Sequence, residues 1–422
     1  MTIPFRFWHN GNMLGPVPQA GQAGHPPGEP PHRSPPRLTF DLDRATKLSR
    51  NFNCWILVTV LAILLTGMSW DRNEAEYKKY LKKADEFDTS LAKMDYPDGN
   101  IRKIFGSEGE DHLFISAQNL GILRSDDAGE HWASKMRGIA EKNFKKVAVY
   151  DFAEDIQRRL LYTATDDGIY KSSDYGENWV RYSESLPFET HCSIIYDLDL
   201  DQATGDLFAR VAMDGFGIWK RGITDKKWLP IGDGLPEESI VTDLCFSPQE
   251  KALYVSNGFG PVLILSDNFE YNMGVYKGIK QGDGHYLWQN TNLPVDKKHS
   301  PVQTLAIDPG TGYVYASGKK GTFRKTSQGW EQVINQSYTL FTVFEKELHH
   351  RALIVSFKDI YLRATDREID QDTWIKINKG WADYTTITSA LFYKNNIYIG
   401  TNDGLNVSSD NGNSWHLVAL TY

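Results

Sequence analysis

Residues 168–182 read GIYKSSDYGENWVRY. Two short runs rich in strand-forming residues, IYKSS and WVRY, flank DYGEN, whose Asp, Gly and Asn are turn formers. Upstream, VAVYDFAED (147–155) and LLYTAT (160–165) read as two more strands, the second joined to IYKSS by a DDG turn. The stretch therefore describes a four-stranded antiparallel unit, with Trp179 opening the fourth strand.

That unit recurs. Its tryptophan returns at Trp132, Trp179, Trp228, Trp288, Trp330, Trp374 and Trp415, and its third strand as GILRS, GIYKS, GIWKR, VLILS, GTFRK, DIYLR and GLNVS. Linkers after the second, third and fourth tryptophans close with SLP, GLP and NLP. Four-stranded units of about 40–60 residues are the signature of propeller blades. The fold expected is all-β, a seven-bladed β-propeller over residues 100–422.

Inside the unit, the turn before the tryptophan carries a serine, an aspartate and a glycine on the pattern S-x-D-x-G-x-x-W. The candidate sets are Ser125, Asp126, Gly129 and Trp132; Ser173, Asp174, Gly176 and Trp179; and Ser409, Asp410, Gly412 and Trp415. A catalytic constellation is needed once per domain, whereas a device that repeats with the fold unit is structural. Degenerate copies agree: TSQGW lacks the aspartate and GITDKKW the glycine, yet both keep the tryptophan. Asp and Ser oxygens accept turn amides, Gly supplies positive φ, and Trp buries its ring over the hairpin.

These three boxes in their GIYKSxDxGxxW context resemble the BNR/Asp-box propellers. That family includes sialidases, xyloglucanase-type glycoside hydrolases, the sortilin ectodomain and the photosystem II assembly factor. The resemblance covers residues 100–422 and implies the fold far more than a function.

Residues 51–70, NFNCWILVTVLAILLTGMSW, contain no charge. About 20 residues rising about 1.5 Å each cross a hydrocarbon core of about 30 Å, so a single transmembrane helix is expected. Trp55 and Trp70 mark its ends, Arg44, Lys47 and Arg50 precede it, and Asp71, Glu74 and Glu76 follow. Basic residues stay inside, which places the amino terminus in the cytoplasm and the propeller on the periplasmic or extracytoplasmic side. Residues 1–50, proline-rich in GHPPGEPPHRSPP, are expected to be a largely disordered cytoplasmic tail. Across 71–99, Tyr77, Tyr80, Ala84, Phe87, Leu91 and Met94 follow a 3-4 spacing, which reads as a juxtamembrane helical stalk stopped by Pro97 and Gly99.

Six basic and three acidic residues lie in 1–53, leaving 40 basic against 51 acidic residues after them, a formal −11. Nucleic acid is bound through basic patches, so it is not an expected partner. The three cysteines make no disulfide framework.

Glycoside hydrolysis needs two carboxyls facing across a cleft. Asp197, Asp199 and Asp243, in or beside expected first strands, are the candidates, while NIRKIFG supplies Arg102 without the arginine pattern of sialidases. DLDLDQATGD alternates carboxylates as calcium loops do, but alternation with Leu198 and Leu200 is the pattern of a half-buried strand. No metal, cofactor or catalytic residue is expected. The reading is a membrane-anchored, non-catalytic scaffold, assembly factor or accessory subunit of a membrane protein complex, with a carbohydrate-binding or carbohydrate-cleaving propeller as the other reading. The partner surface is expected in a fourth-blade insertion between Ser266 and Trp288, with Phe269, Tyr271, Met273, Tyr276 and Tyr286 as candidate contacts.

Overall fold

The computed structural model describes residues 100–420 apart from 140–146, 187–193, 213–216, 237–239, 259–273, 296–300, 337, 346–350, 357–358, 365–373, 379–380 and 382–385. The expected tail, transmembrane helix and stalk lie outside the described residues. Among those residues no helix is long and apolar enough to cross a membrane.

The described strands, numbered β1 to β28 in chain order, form seven four-stranded sheets, each built from four consecutive antiparallel strands. The first strands are β1 (Ile101–Gly106), β5 (Val149–Asp155), β9 (Ile194–Asp201), β13 (Ile240–Ser247), β17 (Val302–Ile307), β21 (Thr339–Phe344) and β25 (Ile387–Tyr393). Each packs on the first strand of the next sheet, and β25 packs on β1, so the seven sheets close into a ring around these innermost strands. The expected seven-bladed propeller is the observed fold.

Its apolar core lies between blades. One cluster occupies each of the seven seams, such as Tyr162, Ile169 and Tyr182 of the second blade against Ile195, Leu198 and Trp228 of the third. The seventh-to-first seam packs Tyr393, Tyr398 and Leu405 on Ile101, Ile104 and Leu113. Second strands are covered on both faces, so they read as continuous apolar runs; LFISA (Leu113–Ala117) is buried throughout. They also repeat a fully buried aromatic, at Phe114, Tyr162, Phe208, Tyr254, Tyr315 and Tyr398.

Every first strand carries a register shift against its second strand, leaving Arg102, Tyr150, Tyr196, Thr242, Gln303, Leu340 and Thr388 unpaired. A β-bulge sharpens local twist and re-aims side chains. Seven bulges at one level therefore set a ring of re-aimed residues on the innermost strands.

The fourth blade departs from expectation. Its third strand is β15 (Gly274–Lys280), GVYKGIK, and not VLILS, because Asn257 pairs with Gly274 and Ala252 with Ile279. Its fourth strand, β16 (Tyr286–Asn290), holds Trp288 in its middle. Five tryptophans sit immediately before their fourth strands, and Trp330 is the second residue of its own.

Candidate functional site

The boxes occupy the third-to-fourth-strand hairpins, and their hydrogen bonds correct the register read from sequence. In the second blade the serine is Ser172, not Ser173: the Gly176 amide donates to its Oγ at 2.8 Å, and that Oγ donates to Asp174 Oδ1 at 2.8 Å. In the seventh blade it is Ser408, not Ser409, with the Gly412 amide at 2.8 Å and Asp410 at 2.8 Å. In the first blade Ser125 holds the Gly129 amide at 2.7 Å, but the aspartate is Asp127, not Asp126. Asp126 pairs with Arg124 and His112 instead. The serine must lie two residues before the aspartate and four before the glycine to close this turn, which an adjacent serine does not satisfy.

Each box carboxylate also accepts an amide four residues on, from His131, Asn178 or Ser414. The His131 amide, with the His131 ring and the Ser125 hydroxyl, holds Asp127, and the Ser414 hydroxyl, with the Ser414 amide and the Ser408 hydroxyl, holds Asp410, each well below the ordinary carboxylate range, at about 2. Glycines 129, 176 and 412 all have positive φ. Asp127, Glu130 and His131 lie close enough to hold an ion, but they are exposed, and Asn178 and Ser414 stand where His131 does. The His131–Asp127 contact is thus part of the turn.

The tryptophans do more than cover their own hairpins. The indole N–H groups of Trp179, Trp228, Trp288 and Trp330 donate to the preceding blade, at Lys135 O, Tyr182 O, Ile231 O and Thr291 O, at 2.9–3.0 Å. Trp415 reaches Ile377 O at 3.3 Å, whereas Trp132 bonds Gly129 O in its own hairpin. The motif bolts blade to blade on the outer side of the ring.

A second set of polar ties lies on the innermost strands. Lys103 meets Asp151 at 2.6 Å, the Leu198 amide donates to Asp151 at 3.0 Å, the Leu305 amide to Asp243 at 2.7 Å and the Ile104 amide to Ser389 at 3.0 Å. Burial, with the nearby Asp197 charge adding to it, raises the Asp151 carboxyl despite Lys103.

On the same strands the first three blades build a half-buried ladder. The Arg102 guanidinium lies 5.7 Å from the centroid of the Tyr150 ring, Tyr150 meets Tyr196 edge-on at 5.1 Å, and Arg210 of β10 (Asp206–Ala212) lies 4.7 Å over Tyr196. Arg210 also pairs with Asp197. Two bulge tyrosines and two arginines, partly open to solvent on adjacent blades, offer ring faces and donors together. This ladder was not read as a unit from the sequence, where only Arg102 stood out.

Of the sequence candidates, Asp197 and Asp243 come together on adjacent first strands, near enough for the charge of one to act on the other. Asp199 takes the Leu200 amide at 2.7 Å and the Phe246 amide at 2.6 Å. Asp201 caps its own hairpin through Ala203 and Thr204. The carboxylates of DLDLDQATGD therefore diverge to separate tasks. Tyr276 and Tyr286, expected at a partner surface, are buried at 6% and 8% exposure in the third-to-fourth seam with Phe208 and Trp288. They belong to β15 and β16, so the core claims them. Phe269, Tyr271 and Met273 lie outside the described residues.

No family model and no curated protein matches this chain. Solved structures do. The GH74 enzyme of Niastella koreensis is similar at 14% identity and a TM-score of 0.58, covering 75% of this chain and 54% of that one. The extracellular domain assigned to the hybrid two component system BT4673 of B. thetaiotaomicron is similar at 16% identity and a TM-score of 0.53, covering 74% of this chain and 38% of that one. PorZ, a surface component of the type-IX secretion system of Porphyromonas gingivalis, is similar at 15% and 0.53, covering 73% and 46%. The chain thus spans 38–54% of these longer chains. At such identities the likeness is one of fold alone, and the similar structures include a GH74 enzyme, an extracellular domain and a surface component of a secretion system.

Proposed function

We propose that this chain is a single-pass membrane protein that displays a non-catalytic propeller outside the cytoplasm as a scaffold, assembly factor or accessory subunit of a membrane protein complex. The observation that carries the reading is how the inner-strand carboxylates are used. Asp151 takes Lys103 and the Leu198 amide, Asp197 takes Arg210, and Asp243 takes the Leu244 and Leu305 amides. A glycosidase pair needs carboxyls free to face a sugar and a water, whereas Asp151 and Asp243 tie their blades to the next and Asp197 is taken up by Arg210 of its own blade. The uncharged run 51–70 supports the same reading, since a chain anchored through it would be confined beside the bilayer, which raises effective concentration for membrane partners.

The test is recovery of native membrane complexes with the tagged full chain, alongside assay of aryl glycosides and polysaccharides. Stable co-purifying membrane subunits without turnover are expected. Glycoside turnover abolished by Asp197→Asn, with the unfolding midpoint unchanged, overturns the reading.

Carbohydrate binding is the second reading, favoured by the partly open Tyr150 and Tyr196 rings beside Arg102 and Arg210. Tyrosine faces stack on sugar rings while guanidinium groups donate to hydroxyls. Binding on a glycan array that Tyr196→Ala removes supports it, and an array blank for the wild type sets it aside.

A further inference from the structure

The bulges lie near the start of each first strand, at one end of the ring. The turns between second and third strands reach the same end, since Ile101 faces Ala117 and Val149 faces Thr165. Whatever precedes the first blade joins the ring there too. The Asn100 carbonyl accepts the Gln118 amide at 2.8 Å, and Asn100 Nδ2 donates to Gln118 Oε1 at 3.2 Å, two residues before Arg102. The ladder and the attachment point of residues 1–99 therefore share one face.

On that face the bulge level is one-sided. The Thr242 and Thr388 hydroxyls donate to Val302 O and Ile101 O of the next blade, so the fourth and seventh blades use the position to hold the ring together. The first three blades place Arg102, Tyr150 and Tyr196 there instead. The Thr388 bond also fixes the peptide from which Arg102 projects.

Arg102 stands apart from the other arginines. Each of the other buried or half-buried arginines among the described residues has a carboxylate within 3.9 Å. Half-buried Arg102 has none among those residues, and its Nε, shut off from water, meets no acceptor. A buried donor left without an acceptor is costly, and the planar guanidinium fork matches a carboxylate. Arg210, at the far end of the ladder, already has Asp197. The carboxylate that suits Arg102 must come on a ligand of low charge, because 51 acidic against 40 basic residues after position 53 repel a polyanion. Arg102 and Arg210 each cover one ring, which leaves less open face for a flat sugar than for the side chains of a peptide. Tyrosine and arginine are also the residues on which protein interfaces most depend.

We propose that the ladder of Arg102, Tyr150, Tyr196 and Arg210 docks a short extracytoplasmic peptide segment of a membrane protein, which sets one Asp or Glu carboxylate on Arg102 and an apolar side chain against the two tyrosines. The proposal rests on the reading of this chain as an accessory subunit of a membrane complex and names the face and the chemistry of that contact. Residues 71–99 tie the anchor expected at 51–70 to this same face, and as a helix such a tether is about 44 Å long. A segment flanking a partner's membrane span is therefore within reach of Arg102.

The test uses the full chain in nanodiscs of neutral lipid, a phage-displayed library of random decapeptides, and titration of the selected peptides made synthetically. Wild type is expected to select peptides with an Asp or Glu beside an aromatic or aliphatic residue, and R102Q should bind them about tenfold more weakly or worse. Replacing the peptide's acid by its amide should cost wild type the same factor and R102Q nothing further, which isolates the pairing from any change in fold. Should R102Q fail to fold, the amide peptides on wild type decide alone. Selected peptides without an acid, or equal affinity for acid and amide, overturn the site. A uronate-bearing glycan that binds wild type and not R102Q also overturns it, because the ligand is then a sugar. The wider reading fails by a different result: wild type that recovers no membrane complex from native membranes removes the accessory-subunit role and the proposal with it. A complex recovered equally well by wild type and folded R102Q leaves that role standing and overturns the ladder's part in it.

Discussion

The backbone amide of Leu198 donates to Oδ2 of Asp151 at 3.0 Å, and the other carboxylate oxygen of Asp151 meets Lys103 at 2.6 Å. One side chain of the second blade thus ties the first and third.

Asp151→Ala leaves the Leu198 amide without its acceptor in a buried seam. A loss of about 1–3 kcal/mol is expected. Lys103 adds little, because its side chain is 38% exposed and water screens it. Urea unfolding of the propeller measures the change, and a midpoint equal to wild type counts against the tie.

Trp179→Ala removes a side chain that is 2% exposed and also the hydrogen bond from its indole to Lys135 O. About 3–5 kcal/mol of destabilisation is expected. Because the lost bond joins two blades, hydrogen exchange should quicken in the first-blade strand β4 (Ala133–Ser134) as well as in the second blade. Exchange confined to the second blade would mean that the tryptophan serves its own hairpin alone.

The box aspartates have a pH signature. Asp127 and Asp410 are held at about 2 by amides and hydroxyls. A depressed carboxyl contributes stability that is whole above its ordinary pKa of about 3.9 and fades as pH falls toward the folded value. Carboxyl carbon titration by NMR should therefore give midpoints near 2 for both. Ser408→Ala, which removes one of the three donors to Asp410, should raise that midpoint, and an unmoved midpoint would deny the serine its part.

Deletion distinguishes the blade from what interrupts it. Removing residues 270–285 takes out β15, and with it Tyr276, so the fourth blade should not fold. Removing 259–273 and joining Gly258 to Gly274 through a two-residue turn spares every paired strand, since Asn257 and Gly274 already face each other. A thermal midpoint within a few degrees of wild type is expected for the second deletion alone.

Topology is open to a direct measurement. Protease added to intact cells or spheroplasts should digest the propeller and leave the proline-rich tail. Protection of the propeller would reverse the orientation drawn from Arg44, Lys47 and Arg50.

The blade count was legible because Trp179 and its counterparts repeat at a spacing that only a repeated four-stranded unit explains. Box register was not, since SSD and SDD each offer two serine–aspartate pairings and only the Gly176 and Gly129 amides choose between them. VLILS looked more like a strand than GVYKGIK because branched residues outweigh glycines in local propensity. In the structure Gly278 lies flat under the Trp288 ring, where a Cβ would come within 2.6 Å of it, so tertiary packing outranked propensity. The ladder of Arg102, Tyr150, Tyr196 and Arg210 joins residues far apart in sequence through three bulges, and no periodicity marks a bulge.

The ring closes without exchanging a strand between its first and last blades, so the final seam is made of the same kinds of bond as the others but joins the ends of the chain. Ile104 and Ser389 are 285 residues apart, whereas Leu198 and Asp151 are 47 apart. Loop-closure entropy growing as (3/2)RT ln n makes the last seam about 1.6 kcal/mol costlier to form than its neighbours. During synthesis the first blade must therefore wait, its Ile101–Leu113 flank bare, until the seventh has emerged. The stretch of time before closure, more than the finished ring, is when this protein is exposed to misassembly with other copies of itself.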